Sequence, residues 1–229
     1  MTDFNFNAEP IENYEQKCLC VLLLDTSASM GGQPLDELQR GLETFHSEIK
    51  EDPTTTNRLE VGIISFDSSI SVKQEPALVE NFNMPKLTAQ GSTHMTDGIH
   101  KAIEMVNERK NWYKQTGQPY YRPWIILMTD GEPFPESANW DLHQTADEIK
   151  TAVDNKNFFF FPVGVEGADM EVLKDIASDK MPPAKLDGLK FASFFKWLSA
   201  SMNTITHSTD GDIVNLPSPG DWMEGFKII

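Results

Sequence analysis

Residues 18–32 read CLCVLLLDTSASMGG, seven apolar residues followed by an abrupt polar turn. The run is too short for a typical helix and shows no polar alternation, so it suits a strand over Lys17–Leu24 buried on both faces of a parallel sheet. The turn places Asp25, Ser27 and Ser29 at alternate positions, where an extended backbone projects all three oxygen side chains toward one point. Cys18 and Cys20 fall on one face of the same strand. Strand geometry denies them the approach a disulfide needs, and they read as reduced core thiols.

Working outward, Pro34 opens a helical pattern with Leu35, Leu38, Leu42, Phe45 and Ile49 on one face, and Pro53 ends it. Leu59–Phe66 (LEVGIISF) is a second strand, turned by Asp67-Ser68-Ser69 into a short third, Ile70–Lys73, at a sheet edge. An irregular stretch, 74–92, leads into a helix whose apolar face is Ile99, Ala102, Ile103 and Val106. The strand Trp124–Met128 is closed by TDGEPFPES, and a helix through Leu142, Ala146, Ile149 and Val153 comes next. Asn157–Val165 is a strand in which Pro162 demands an edge or a bulge, and Phe158 to Phe161 within it read as core. A short helix, Met170–Ala177, and a last one, Ser193–Thr206, complete the series after the breaker Met181-Pro182-Pro183.

This alternation predicts an α/β fold, Rossmann-like, with a mostly parallel central sheet, helices on both faces and one antiparallel edge strand. It divides the chain into an N-terminal extension (1–16), one domain (17–207) and a C-terminal tail (208–229). The tail carries Ile213, Val214, Leu216, Trp222, Met223, Phe226, Ile228 and Ile229 among turn formers. It is too apolar to be free and too broken by Pro217, Pro219 and Gly220 for a helix, so it rests on this domain, on a partner or on a second copy.

Of 229 residues, 35 are acidic and 19 basic, a formal net charge of −16. Such a surface repels phosphate backbones and anionic bilayers, which argues against nucleic acid or a membrane as partner. No apolar stretch approaches the ~20 residues that span a bilayer, and the start has neither a basic nor a hydrophobic signal region, so a cytoplasmic location is expected. The five histidines show no zinc spacing. The oligomeric state is left open.

In open α/β sheets, ligands bind where loops converge beyond the carboxyl ends of strands. Three such loops carry oxygen donors: Asp25-Thr26-Ser27-Ala28-Ser29, Gly91-Ser92-Thr93 and Thr129-Asp130-Gly131. Two aspartates and three hydroxyls (Asp25, Ser27, Ser29, Thr93, Asp130) suit a hard divalent cation such as Mg2+ (or Mn2+), which takes oxygen ligands through few carboxylates. Each loop also has a plainer reading. Ser27 or Ser29 would cap the helix beginning at Pro34, Thr93 or Thr96 the next helix, and Asp130-Gly131 would be an ordinary turn pair. Their joint occurrence after successive buried strands favours the metal.

The segments CVLLLDTSASMGG, GSTHMTDGI and IILMTDGEP resemble the three parts of the metal-ion-dependent adhesion site of von Willebrand factor A domains, over about residues 17 to 206. The resemblance implies one Mg2+ or Mn2+ at the top of the sheet, with Asp25, Ser27, Ser29, Thr93 and Asp130 as the motif's members and a partner's Glu or Asp carboxylate as the sixth ligand. The segment FFKWLSASMNTITHSTDGDIVNLPSPGDW is similar to bacterial TerY-type proteins of tellurium-resistance and stress-response clusters. That likeness implies a cytoplasmic protein with a kinase-like or phosphatase partner encoded in the same cluster.

The function these readings favour is a metal-dependent protein-protein interaction module without catalysis. The enzymatic rival is a Mg-dependent phosphotransferase of haloacid-dehalogenase type, which also sets an Asp and Mg2+ after the first strand. Its D-x-D-x-T pattern needs a second carboxylate where this chain has Ser27, so the general acid is missing. No phosphate loop, dinucleotide fingerprint or nucleophile elbow is present in the sequence. Asp67 is explained by its hairpin turn and His94 by local hydrogen bonding, and both are left out of the site. Glu132, Phe134 and Glu136 are candidates for a recognition rim beside Asp130.

Overall fold

The computed structural model describes residues 11, 13–130, 141–209 and 212–223. The leading apolar run forms β1 (Cys18–Asp25), every residue of it buried. It lies between β2 (Leu59–Phe66) and β4 (Trp124–Thr129), both parallel to it, with Cys18 opposite Leu59 and Cys20 opposite Trp124. A strand flanked on both edges and covered on both faces has no use for polar side chains, which is why its sequence does not alternate. With β3 (Ile70–Leu78), β5 (Phe159–Gly164) and β6 (Ala184–Lys185), the sheet has six strands in the order β3-β2-β1-β4-β5-β6, and β3 is its antiparallel edge. The expected α/β class and mixed sheet are therefore what is observed.

Alternation along β1 divides the core in two. Cys18, Cys20, Leu22 and Leu24 face α1 (Gln33–Ile49) and α6 (Phe191–Thr206). Leu19, Val21 and Leu23 face α3 (Met95–Thr116), α4 (Leu142–Asp154) and α5 (Met170–Ile176). Gly41 lets α1 approach α6 closely, since a Cβ there would stand 2.5 Å from the Phe195 ring. Cys18 and Cys20 are buried and unbridged, and burial with the Glu60 carboxylate close by pushes the Cys18 thiol up to about 12.

Several elements differ from their expected bounds, each for a local reason. Pro53 does more than stop α1: with Asp52 accepting the Thr55 N–H at 2.7 Å, it starts a one-turn helix α2 (Pro53–Arg58). Strand β3 continues past Lys73 to Leu78 because register shifts opposite Val61 and Ile63 carry it across Pro76. Pro162 sits in β5 opposite Leu127 of β4. Phe159 and Val165 both donate their N–H groups to β4's side, so by alternation the Pro162 nitrogen faces the other edge, where β6 pairs only with Val163 and Gly164. The two-residue β6 lies in a segment with no strand signature of its own.

The described part of the tail packs on its own domain. Trp222 is 1% exposed, with its ring 5.0 Å from Phe194, edge to face, and 5.1 Å from Trp197. Trp197 Nε1 donates to Pro217 O at 2.8 Å, Asp187 N donates to Trp222 O at 2.7 Å, and Met223 bridges antiparallel to Leu186 beyond β6. Phe226, Ile228 and Ile229 lie outside the described residues. Removing a buried indole leaves a cavity that this aromatic cluster cannot refill. Trp222→Ala is expected to cost ~3 to 5 kcal/mol, and hence roughly ten degrees of melting temperature for a domain of this size. An unchanged thermal unfolding curve would show that the tail does not contribute to the core.

Candidate metal centre

Two adjacent parallel strands bring their carboxyl ends together. Leu24 of β1 is in register with Met128 of β4, so the next residues, Asp25 and Thr129, end up side by side. The Thr129 hydroxyl donates to Asp25 Oδ2 at 2.5 Å, and Asp25 Oδ1 accepts the Ser27 N–H at 2.8 Å. The Ser27 and Ser29 hydroxyls are 3.0 Å apart, and Ser29 Oγ donates to Asp130 Oδ1 at 2.9 Å. Four of the five expected ligands, Asp25, Ser27, Ser29 and Asp130, are thus linked by direct hydrogen bonds within their turns and across the strand ends.

Thr93 is buried, and its loop is stitched to the first one by backbone bonds. Gln90 N donates to Thr26 O at 2.8 Å and Ala28 N to Gly91 O at 3.0 Å. From the other side the β2–β3 turn buttresses it: His94 N donates to Asp67 O at 3.0 Å and Ser92 N to Ser68 Oγ at 2.9 Å. The Asp67 carboxylate closes its own turn, accepting the Ser69 N–H at 2.8 Å and hydroxyl at 2.9 Å. His94 Nδ1 lies 3.8 Å from Asp97 Oδ2 on the first turn of α3. Glu132, Phe134 and Glu136 lie outside the described residues.

The plainer readings of the hydroxyls do not describe this geometry. The N-cap of α1 is Gly32, at φ +82°, and that of α3 is His94, and neither makes a side-chain cap bond. Ser27 precedes a single 3-10 turn, Ala28–Met30, also without a side-chain cap bond. The hydroxyls of Ser27 and Ser29 instead face each other and the Asp130 carboxylate.

The electrostatics of the site favour a cation. Burial pushes the Asp25 carboxyl above the usual range, against hydrogen bonds from Ser27 and Thr129 that pull it down, and the Asp130 charge raises it further. Burial likewise raises Asp130, opposed by the bond from Ser29. Among the described residues no group of three or more His, Cys, Asp or Glu side chains is placed to hold a metal ion, so a metal at this site would rely on hydroxyl donors as well as its two carboxylates. Two carboxylates and neutral hydroxyl oxygens, partly withdrawn from water, fit a hard divalent ion better than a soft one.

Sequence reasoning passed over two groups of positioning residues. Thr129 reads in the sequence as the first residue of the loop after Trp124–Met128; it is the last residue of β4, and its bond to Asp25 follows only from the strand register. Ser68 and Ser92, with hydroxyls 3.0 Å apart, are separated by an irregular stretch that has no periodicity to align them.

Residues 20–187 match the family model of the von Willebrand factor type A domain. Similar solved structures include the pilus adhesin SpaC from Lactobacillus rhamnosus GG, open conformation, at 16% identity and TM-score 0.67 over 85% of this chain and 31% of that one. A von Willebrand factor type A protein from Catenulispora acidiphila aligns at 15% identity and TM-score 0.59, over 82% and 43% of the two chains. The vWF domain of the type V pili tip protein Mfa5 from Porphyromonas gingivalis aligns at 15% identity and TM-score 0.58, over 87% and 99%. The chain thus spans less than half the length of the first two, and at these identities the likeness is one of fold. No curated protein matches the sequence.

The buttress makes its own prediction. Gly91 has φ +68°, and a Cβ there would stand 2.4 Å from Ser68 Oγ. Gly91→Ala is expected to cost more than ~1 kcal/mol, because it adds backbone strain to that clash. Adding Ser68→Gly relieves the clash alone, so urea unfolding of the single and double variants should show coupling between the two sites. Strictly additive effects would mean that the turn and the Thr93 loop are not in load-sharing contact.

Proposed function

Because the chain belongs to the von Willebrand factor type A family, whose model it matches over residues 20–187, we propose that it is a non-catalytic protein-protein interaction module built around one divalent cation. Asp25, Ser27, Ser29, Thr93 and Asp130 would hold Mg2+ or Mn2+. The observation that carries this reading is the linked set of Asp25, Ser27, Ser29 and Asp130 at the ends of β1 and β4, with hydroxyls that cap no helix. Once bound, the cation supplies a Lewis-acidic point for an oxygen ligand from outside the chain.

The residues of the chain prepare that point. Thr129 orients Asp25 from below, so the buried carboxylate is held in place before binding. Ser29 is exposed while Asp25 and Ser27 are buried, so the site opens to solvent on one side. Neutral hydroxyls leave a divalent charge incompletely compensated, which favours a partner's Glu or Asp carboxylate at the open position. The −16 charge opposes an acidic partner at long range, but screening over ~8 Å at physiological salt leaves contact chemistry to decide affinity.

A non-catalytic role is supported by Ser27, which stands where the phosphotransferase pattern needs a second carboxylate. Among the described residues no helix is long and apolar enough to cross a membrane. The proposal includes a cytoplasmic setting, where thiols such as Cys18 and Cys20 stay reduced. On the likeness of its C-terminal segment alone, it extends to a TerY-type stress-response system with a kinase-like or phosphatase partner.

Calorimetric titration with Mg2+ and Mn2+ should detect one site, lost in Asp25→Ala. At ten times its dissociation constant the ion adds about 1.4 kcal/mol of stability, a rise of a few degrees in melting temperature. No heat and no shift with either ion would remove the metal from the account. Thr93→Ala is expected to weaken capture of the native partner without unfolding the domain. Full capture in EDTA would refute the carboxylate bridge while leaving metal binding untouched.

A further inference from the structure

At the other end of the sheet from the candidate metal centre, the starts of β4 and β5 border a cavity of about 400 Å³. Trp124, Phe159, Met181, Ile205, Val214 and Leu216 line it, with the rings of Trp124 and Phe159 4.9 Å apart. Its apolar walls come from the sheet, the segment before β6, the end of α6 and the tail. Cavities of this size, mostly apolar with few polar groups, are those that hold small molecules.

One cation, Arg122, also lines the cavity. Its Nη2 donates to Val153 O at 2.6 Å and Phe158 O at 2.5 Å, and its guanidinium lies 3.8 Å over the Phe159 ring centre. Its Nε is buried without a hydrogen-bond partner, and among the described residues no carboxylate forms an ion pair with it. The nearby Asp154 charge favours the Arg122 cation without pairing with it, and its carboxylate is bound to Lys180 at 2.7 Å. Asp212 also lines the cavity and opposes an anion there, but its carboxylate is engaged by Thr209, accepting the N–H at 2.7 Å and the hydroxyl at 2.8 Å. The charge of Lys110 adds to that of Arg122. A half-buried guanidinium with an unpartnered Nε and no ion pair among the described residues retains capacity for a further anion.

We infer that this cavity binds a small organic monocarboxylate, its head group on Arg122 and its apolar body against Trp124 and Phe159. The carboxylate would supply the anion that the guanidinium lacks, and the body would cover apolar walls now open to water. The site does not share a residue with the candidate metal centre and stands independently of that reading.

The test uses decanoate and 3-phenylpropanoate as aliphatic and aromatic probes, with decan-1-ol as the neutral control. All titrations run in EDTA, and again in Asp25→Ala, so that no metal can take the carboxylate. Calorimetry and methyl resonances of Met181, Ile205 and Val214 report binding. At least one acid should bind and shift these methyls, and the preferred probe identifies the body as chain or ring. Decan-1-ol should bind at least tenfold more weakly than decanoate if the chain is preferred, and Arg122→Gln should weaken the preferred acid at least tenfold. Met181→Trp, which fills the cavity and keeps the carbonyl bonds of Arg122, should abolish binding even if Arg122→Gln fails to fold. Absence of binding by both acids, or undiminished binding in Met181→Trp, would overturn the assignment, as would decan-1-ol matching a bound decanoate.

Discussion

The bond from the Thr129 hydroxyl to the Asp25 carboxylate, 2.5 Å long, joins the carboxyl ends of the two central strands. Because β1 and β4 are parallel and adjacent, their last residues and the turns after them must leave the sheet together. That forces two aspartates, Asp25 and Asp130, toward one another in a partly dry setting where each disfavours the other's charge. The serines of the first turn separate and bridge them. What results is a compact arrangement of oxygen atoms with more negative charge than its surroundings compensate, the condition under which a divalent cation is stabilising.

The rest of the fold keeps that end rigid. Both faces of β1 are packed, one by α1 and α6 and the other by α3, α4 and α5, so the strand that delivers Asp25 has little freedom to shift. The β2–β3 turn holds the Thr93 loop through Ser68 and the Asp67 carbonyl, which extends the same rigidity to a candidate ligand lying 68 residues after Asp25 in sequence. The described tail residues run along the sheet beside α6. Val214 and Leu216 border an apolar cavity at the opposite end, Ile213 is left 89% exposed, and Trp222 closes the aromatic core while Met223 bridges to Leu186 just past β6, whose partners Val163 and Gly164 lie at the carboxyl end of β5. One end of the sheet therefore carries anionic oxygens, and the other apolar walls and the Arg122 guanidinium, which forms no ion pair among the described residues.

How much of this was legible in the sequence depended on whether a signal was local. The apolar run of β1, the helical faces of α1, α3, α4 and α6, and the order of the elements apart from α2 and β6 all rest on short-range periodicity, and they were read correctly. The site loops were legible for the same reason: each lies directly after a buried strand or before a helix. What escaped depended on distant partners. Strand β6 is a strand only because Val163 and Gly164 pair with it, and the Thr129–Asp25 bond exists only because of the register between β1 and β4. Helix α2 is a different case. Its Asp-Pro start is a local capping signal that was read as a stop, because a proline after a long helix does both. On sequence grounds the tail could rest on this domain or dock a partner or a second copy, and the contacts of Trp222 place the described residues up to Met223 on this domain.

The central claim is that the ends of β1 and β4 form a single cation site. The most direct measurement is an anomalous difference map from crystals grown with Mn2+, collected above the manganese edge. The account predicts one strong peak, bounded by the side-chain oxygens of Asp25, Ser27, Ser29, Thr93 and Asp130, that disappears in Asp25→Ala crystals grown the same way. A map without a peak there, or with its only strong peak elsewhere on the acidic surface, would contradict it.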